Sequence, residues 1–359
     1  MPAEIAAGDI VRRHDEAPAG RAPLLVVDPL LAFLDQQGLG AGEPSIEPLG
    51  DGHSNYTYTI ARQGATVVLR RPPRPPYPKS AHDVLREARL LQAIAPTGVP
   101  VPEVLATCDD PSVIGVPFYV MEMLHGIVYT DSTPATLGAP GERRRVAWEL
   151  VDALVALHAV DWRAAGLATS GREAGYLERQ LGRFAGLLET YRSREMPALD
   201  RLTAWLADHR PDSSQATIVH GDYRLGNVMF DASAPARLIA IFDWEMATVG
   251  DPLADVGYLC AMWAQAGDPD GLRKLSRATT EPGYPTREAL AERYAEKSGR
   301  SIRDIRWFTV LALWKFCVIM EGNYRRAVDG ATDSRFVREF GADVPAIAAY
   351  AEALTRLTD

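Results

Sequence analysis

HGDYRLGNVMFD at 220–231, followed by IAIFDWE at 239–245, decides how this chain is read. Both stretches lie in a β-rich island, 217–244, within a half of the chain whose periodicity is otherwise helical. Asp222 and Asn227 stand on the turn-rich first stretch, and Asp243 ends the apolar second one. Either stretch alone also reads as ordinary turn residues. Both together, in this order and between strands, fit the set that phosphoryl transfer requires. One carboxylate must accept or orient the proton of the attacking hydroxyl, and that role falls to Asp222. Hard oxygen ligands must hold magnesium against phosphate, and those are Asn227 and Asp243. His220 reads as support of the loop, because Asp222 already fills the role of base. Asp255, in GDPLADVGYL at 250–259, is open as a metal ligand. Its place at the start of a helix better suits a bond to the catalytic-loop backbone.

Working outward, helical periodicity predicts 142–158, 173–192 and 198–209 before the island, then 286–297, 303–328 and 334–357 after it. The N-terminal part reads differently. Residues 1–23 are rich in Ala, Pro and Gly and read as a loose arm. Leu30, Leu31 and Leu34 predict a short helix ending near Gly38. Strand-like runs follow at 56–60 and 66–69, with a turn at Gln63-Gly64, and again around 103–108 and 116–123. Between the last two lies the turn signal Asp109-Asp110-Pro111. One main helix, with Ser80 as N-cap, carries Val84, Leu85, Ala88, Leu91 and Ile94 on one face. RPPRPPYP at 71–78 reads as a stiff loop, with docking of a partner domain on its PxxP spacing as the alternative. The expectation is an α+β chain in two lobes. An arm and short helix span 1–44, and a β-sheet N-lobe that binds nucleotide spans 45–122. A connector at 123–127 leads to a mostly helical C-lobe, 128–359, with the catalytic loop and the acceptor site.

Further candidates come from the N-terminal half. LGDGHSN at 49–55 is a glycine-rich turn between strands, and such turns let backbone N–H groups approach phosphate. Gly50, Gly52, Ser54 and Asn55 are therefore candidate nucleotide contacts, although many hairpins share this pattern. VVLR at 67–70 places Arg70 where the corresponding strand of kinases carries lysine. Glu87 follows in VLREAR, and an Arg70–Glu87 pair would aim the guanidinium at the α/β-phosphates. A solvated helix face is the other reading of Glu87. Glycine turn, basic strand residue, helix glutamate, connector, HxDxxxxN and Asp occur in the order a kinase requires. Gly38, Gly40 and Gly42 do not make a dinucleotide fingerprint, since no strand precedes them. No GxxxxGK[ST] occurs, which excludes a P-loop enzyme.

On these motifs the chain resembles the aminoglycoside phosphotransferase/choline kinase superfamily, small-molecule relatives of protein kinases. HGDYRLGNVMFD and IFDWEMATVGDPLADVGYL carry the likeness, which covers about Glu43 to Gly330. LGDGHSNYTYTI, VVLRRPP and VIMEGNYRRAVDG resemble one branch more closely, the kinase-like domains found ahead of acyl-CoA dehydrogenases. No dehydrogenase portion is expected in this chain. The resemblance implies a protein-kinase-like fold, ATP and Mg2+ as cofactors, and adenine held near Glu122 and Leu124. It also implies transfer of phosphate to a hydroxyl of a small molecule. Arg70 in place of lysine and Trp244-Glu245 after Asp243 depart from protein kinases, and neither removes a reacting group. Family members act on varied acceptors, so a hydroxy acid, a hydroxyacyl-CoA and a true aminoglycoside all remain open, as does a nucleotide-binding module without turnover. The segment 315–326, KFCVIMEGNYRR, supplies acceptor candidates: Tyr324 and Arg325 suit an anion, whereas Glu321 suits an amine.

Composition sets the outer bounds. Thirty-eight Lys+Arg against 47 Asp+Glu give a net charge of −9, which argues against a basic nucleic-acid surface. Three cysteines without metal spacing point to a reducing, cytoplasmic setting. No signal peptide or membrane span is expected. The partners expected are ATP and a small-molecule acceptor, with a second copy of the chain admitted.

Overall fold

A computed structural model describes residues 6, 8–50, 55–74, 82–167, 174–212, 216–330 and 335–357. The chain forms two compact units, Met1–His125 and Gly126–Asp359.

The first unit is built on a five-stranded sheet. Its strands are β1 (Ala41–Pro48), β2 (Tyr56–Gln63), β3 (Ala65–Arg71), β4 (Val104–Cys108) and β5 (Phe118–Glu122), in the order β1-β2-β3-β5-β4. Every pairing is antiparallel, with Tyr58 opposite Leu69 and Leu69 opposite Val120. Strand alternation then sorts the side chains between two faces. Tyr58, Ile60, Val67, Leu69, Phe118 and Val120 join Leu30 and Leu34 of helix α1 (Val27–Gln36) in one buried cluster. Phe33 meets Phe118 edge-on, with ring centroids 5.2 Å apart. The alternate positions, including Arg70, face the other way, toward α2 (Val84–Ile94).

Three details correct the sequence reading here. The stretch 1–23 is not a loose arm throughout. Ile10–Val11 pairs with Leu25–Val26, and the carboxylate of buried Asp9 is held by Arg21 and Arg74. The charged pairs anchor a segment whose composition alone looked mobile. Helix α2 is capped by Asp83, whose carboxylate accepts from Arg86 N–H at 2.9 Å. Ser80, like 75–79, lies outside the described residues. The turn at 109–111 opens a short helix, Pro111–Ile114, because Asp110 caps it and proline suits its first position.

The second unit is mostly helical. Its helices are α3 (Pro140–His158), α4 (Tyr176–Tyr191), α5 (Pro197–Asp208), α6 (Leu253–Met262), α7 (Arg287–Ser298), α8 (Ile305–Val328), α9 (Arg335–Gly341) and α10 (Val344–Leu354). Helix α8 is buried on all sides along 307–314, as a helix central to its unit must be. It packs against α4, α5, α6, α9 and α10. Gly257 permits the approach to α6: a Cβ there would come 2.6 Å from Phe308. The predicted helix 334–357 is two helices, α9 and α10, with Pro345 in the first turn of the second.

Two small ladders carry the loops of interest. Thr217–Val219 (β6) pairs antiparallel with Thr248–Gly250 (β9), and Val228–Phe230 (β7) with Leu238–Ile241 (β8). This is the two-lobed, protein-kinase-like α+β architecture, with a β-sheet N-lobe and a mostly helical C-lobe. Among the described residues no helix is long and apolar enough to cross a membrane.

Candidate active site

The two ladders bring Asp222, Asn227 and Asp243 together. Val228 and Ile241 face each other across β7 and β8. Asn227 therefore leaves one strand end where Phe242 and Asp243 leave the other. Phe242 N–H donates to the Asn227 carbonyl at 2.8 Å and fixes the two ends side by side. Asp243 then adopts a left-handed backbone, φ 64° and ψ 61°, a costly conformation for a residue with a Cβ. Gly221, at φ +87°, lies so close to Met246 that a Cβ would sit 2.9 Å from its carbonyl oxygen.

Asp222 is partly exposed and held from several sides. Asn227 Nδ2 donates to its Oδ2 at 2.7 Å and to its carbonyl oxygen at 2.8 Å. Arg224 Nε lies 3.5 Å from its Oδ1. The phenol of Tyr258, on α6, lies within the field of the same carboxylate. Burial, and then the negative charge of Asp222, push the Tyr258 phenol well above its ordinary range, so it remains a donor. Asp243 also contributes to the field at Tyr258.

Beneath this partly open surface lies a fully buried support. His220 Nε2 donates to the Phe242 carbonyl at 2.8 Å, and Nδ1 accepts from Asp222 N–H at 3.2 Å. That pattern selects one neutral tautomer and leaves the ring no free lone pair. Asp255 accepts the backbone N–H groups of His220 and Gly221 at 2.7 and 2.8 Å. Its Oδ2 is 3.2 Å from His158 Nε2, and His158 Nδ1 meets the Tyr294 hydroxyl at 2.8 Å. Burial alone would raise the Asp255 carboxyl; the hydrogen bond and charge of His158, with the Gly221 N–H, outweigh it, so the net direction is down.

The first unit supplies a separate cluster. Arg70 Nε donates to Glu87 Oε2 at 3.1 Å, with Glu87 buried and Arg70 largely so. Glu87 is thus no solvated helix residue. Arg71 is buried and donates to the carbonyls of Leu24 and Pro72. Gly50 is exposed at φ +80°, and buried Asn55 meets His82 Nδ1 through Oδ1 at 3.0 Å. Gly52 and Ser54 lie outside the described residues. Glu122 ends β5; its N–H donates to the Glu103 carbonyl and its carboxylate accepts from Glu103 N–H, each at 2.9 Å. Leu124 follows it outside any strand or helix.

Among the acceptor candidates on α8, Glu321 needs correction. Glu321 is completely buried, accepts from Ser193 Oγ at 2.7 Å, and is gripped by both Nε and Nη2 of Arg194. A carboxylate with no exposed surface and two partners does not contact an acceptor. The Arg194 guanidinium also lies 4.4 Å from the Tyr324 ring centroid and donates to the Gly341 carbonyl. Arg325 donates to the Thr190 carbonyl at 2.6 Å. The three residues latch α8 to the end of α4 and to the segment after it. Trp263, Trp307 and Trp314 are core.

Sequence reasoning missed Tyr258, Arg224 and Lys315. Tyr258 stands three residues after Asp255, one helical turn along the same face. Arg224 lies inside the HxDxxxxN stretch itself. Lys315 is a lone cation in the apolar run LWKFCV of α8.

A metal would find hard oxygen donors here. Asn227 uses Nδ2 on Asp222, which assigns its Oδ1 to any cation, and Asp243 supplies a carboxylate from the adjoining strand end. Among the described residues no group of three or more His, Cys, Asp or Glu could hold a metal. Two protein oxygens suit magnesium, which completes its shell with water and phosphate oxygens.

A family model for the phosphotransferase enzyme family matches residues 45–292. A solved structure from Ralstonia eutropha JMP134, provisionally named an aminoglycoside phosphotransferase, is 32% identical. It aligns over 92% of this chain and 98% of its own, with a TM-score of 0.80. Acyl-CoA dehydrogenase family member 10 of Mus musculus is 34% identical over 292 residues, which is 81% of this chain and 27% of the mouse protein. The chain thus spans about a quarter of that relative's length. Aminoglycoside phosphotransferase APH(4)-Ia, solved as a thermostable D198A mutant with ADP and hygromycin B, shares the fold. It has a TM-score of 0.58 at 16% identity, over 91% of this chain and 98% of its own.

Proposed function

The chain belongs to the phosphotransferase enzyme family, and on that premise we propose that it moves the γ-phosphate of ATP to a hydroxyl of a small molecule. The observation that carries this reading is the joint placement of Asp222, Asn227 and Asp243 on two adjoining strand ends above a buried support. Asp222 is the base. As the acceptor oxygen bonds to the γ-phosphorus, the bond from phosphorus to the bridging oxygen of ADP breaks, and the hydroxyl proton passes to the Asp222 carboxylate. Arg224 and Asn227 orient that carboxylate. Asn227 and Asp243 would hold magnesium, which when bound offsets the charge of the phosphates. His220 and Asp255 keep the loop in register. In the first unit, Arg70, steadied by Glu87, would grip phosphate with its planar fork. The backbone near Glu122 and Leu124 would meet adenine.

The acceptor class we propose is a hydroxy acid or hydroxyacyl-CoA. The mouse relative's name points to acyl chemistry. The solved aminoglycoside enzymes share the fold at too low an identity to carry their acceptor across. The test is ADP release against a panel of hydroxy acids, hydroxyacyl thioesters, choline and aminoglycosides. Release that rises with one acceptor and is lost in Asp222→Asn supports the reading. Nucleotide binding with no acceptor-dependent release from any of them would reassign the chain to a nucleotide-binding module.

A further inference from the structure

We infer that Lys315, seconded by Arg183, is the specificity-determining cation that selects an acceptor carrying a negative charge; this rests on the reading that the second unit binds the acceptor beside Asp222. Lys315 interrupts the apolar run of α8, where a cation is costly without purpose. Its Nζ donates to Gln180 Oε1 at 3.0 Å and stands 4.6 Å from the centroid of the buried Phe184 ring. The Arg183 guanidinium lies 5.8 Å from the same centroid. Two cations, from α4 and α8, therefore lie near one aromatic ring. Among the described residues neither makes an ion pair.

The electrostatics agree with this geometry. Burial first, and the Arg183 charge second, push the Lys315 ammonium down to about 8, while Asp255 and Asp222 oppose the fall. Lys315 thus lies within the field of the proposed base. An ammonium with one neutral partner keeps donors for a ligand. Its repulsion with Arg183 is relieved when an anion joins them. A cationic acceptor would meet that repulsion directly. The ligand chemistry is an alcohol bearing a carboxylate or a phosphate group.

The test is direct binding to the full chain in the presence of MgADP. The probes are hydroxy acids of graded length, their methyl esters, phosphate-bearing alcohols, and alcohols carrying a quaternary amine. The expected result is acid binding on the order of tenfold tighter than ester or amine binding. Lys315→Met should erase that preference and Lys315→Arg restore it, with both variants shown to be folded by thermal melting. Comparing the acids with the phosphates decides which anion is read. Esters or amines binding as well as the acids, an acid preference that survives Lys315→Met, or no binding of any anionic alcohol would each overturn the inference. A retained acid preference with no acceptor-dependent ADP release would instead remove the kinase reading and leave Lys315 as an anion site.

Discussion

The loop region 220–243 and the C-terminal end of α8 both present a carboxylate, an aromatic ring and an arginine, yet they are built to opposite ends. At the end of α8, Glu321 is fully buried and satisfied by Arg194 and Ser193, with Tyr324 stacked beneath the guanidinium. The Glu321 carboxylate there has no surface left for a ligand. In the loop, burial and availability fall on different residues. Asp255 and His220 are completely buried and bonded to backbone, while Asp222 and Asp243 stay partly exposed above them. A buried, fully paired carboxylate holds structure. A partly exposed one, propped by a buried neighbour, is free to exchange a proton or a ligand.

The largest effect expected from this contrast is on turnover. Asp222→Asn should lower the acceptor-dependent rate by about a thousandfold while nucleotide affinity stays within a few-fold. Rate and binding are to be measured on one preparation, and an undiminished rate removes Asp222 from the chemistry. Glu321→Ala should do the reverse. Breaking a buried pair by removing one partner costs about 3 kcal/mol of stability. Denaturant unfolding should show that loss, while the acceptor KM of the folded fraction is unchanged. A raised KM at intact stability would return Glu321 to the acceptor site.

Asn227→Ala and Asp243→Ala come next. Each should weaken nucleotide binding about tenfold in saturating magnesium and little without it. A magnesium titration that matches wild type in both would place the metal elsewhere. The smallest effect concerns acid. The folded-state pKa of Asp255 lies below its ordinary value. Its contribution is therefore complete above the ordinary carboxylate range and lost as pH falls through the lowered value. Asp255→Asn should flatten the acid limb of a stability–pH curve relative to wild type; a superimposable limb would remove that coupling.

Much of this was legible in the sequence, for identifiable reasons. The island 217–244 and the strands around it follow from local β-propensity. Arg70 and Glu87 lie on one strand and one helix whose periods were clear, and they meet at 3.1 Å. What failed needed long-range contacts. The composition of 1–23 hides Asp9, which two arginines hold in place. Glu321 and Tyr324 read as parts of a site because Arg194, over a hundred positions earlier, gives no local sign that it will reach them. Lys315 was passed over although a lone lysine in an apolar helix is itself a signal, since its neighbours Gln180 and Phe184 come from another helix.

The most direct test of the central claim is 31P NMR of the full chain with MgATP and the hydroxy-acid panel, run beside Asp222→Asn. The wild-type chain should convert the γ-phosphate signal into a phosphomonoester on the acceptor, together with ADP, and the variant should leave both signals unformed over the same hours. Formation of inorganic phosphate alone across the whole panel, or a phosphomonoester made equally well by Asp222→Asn, would contradict it.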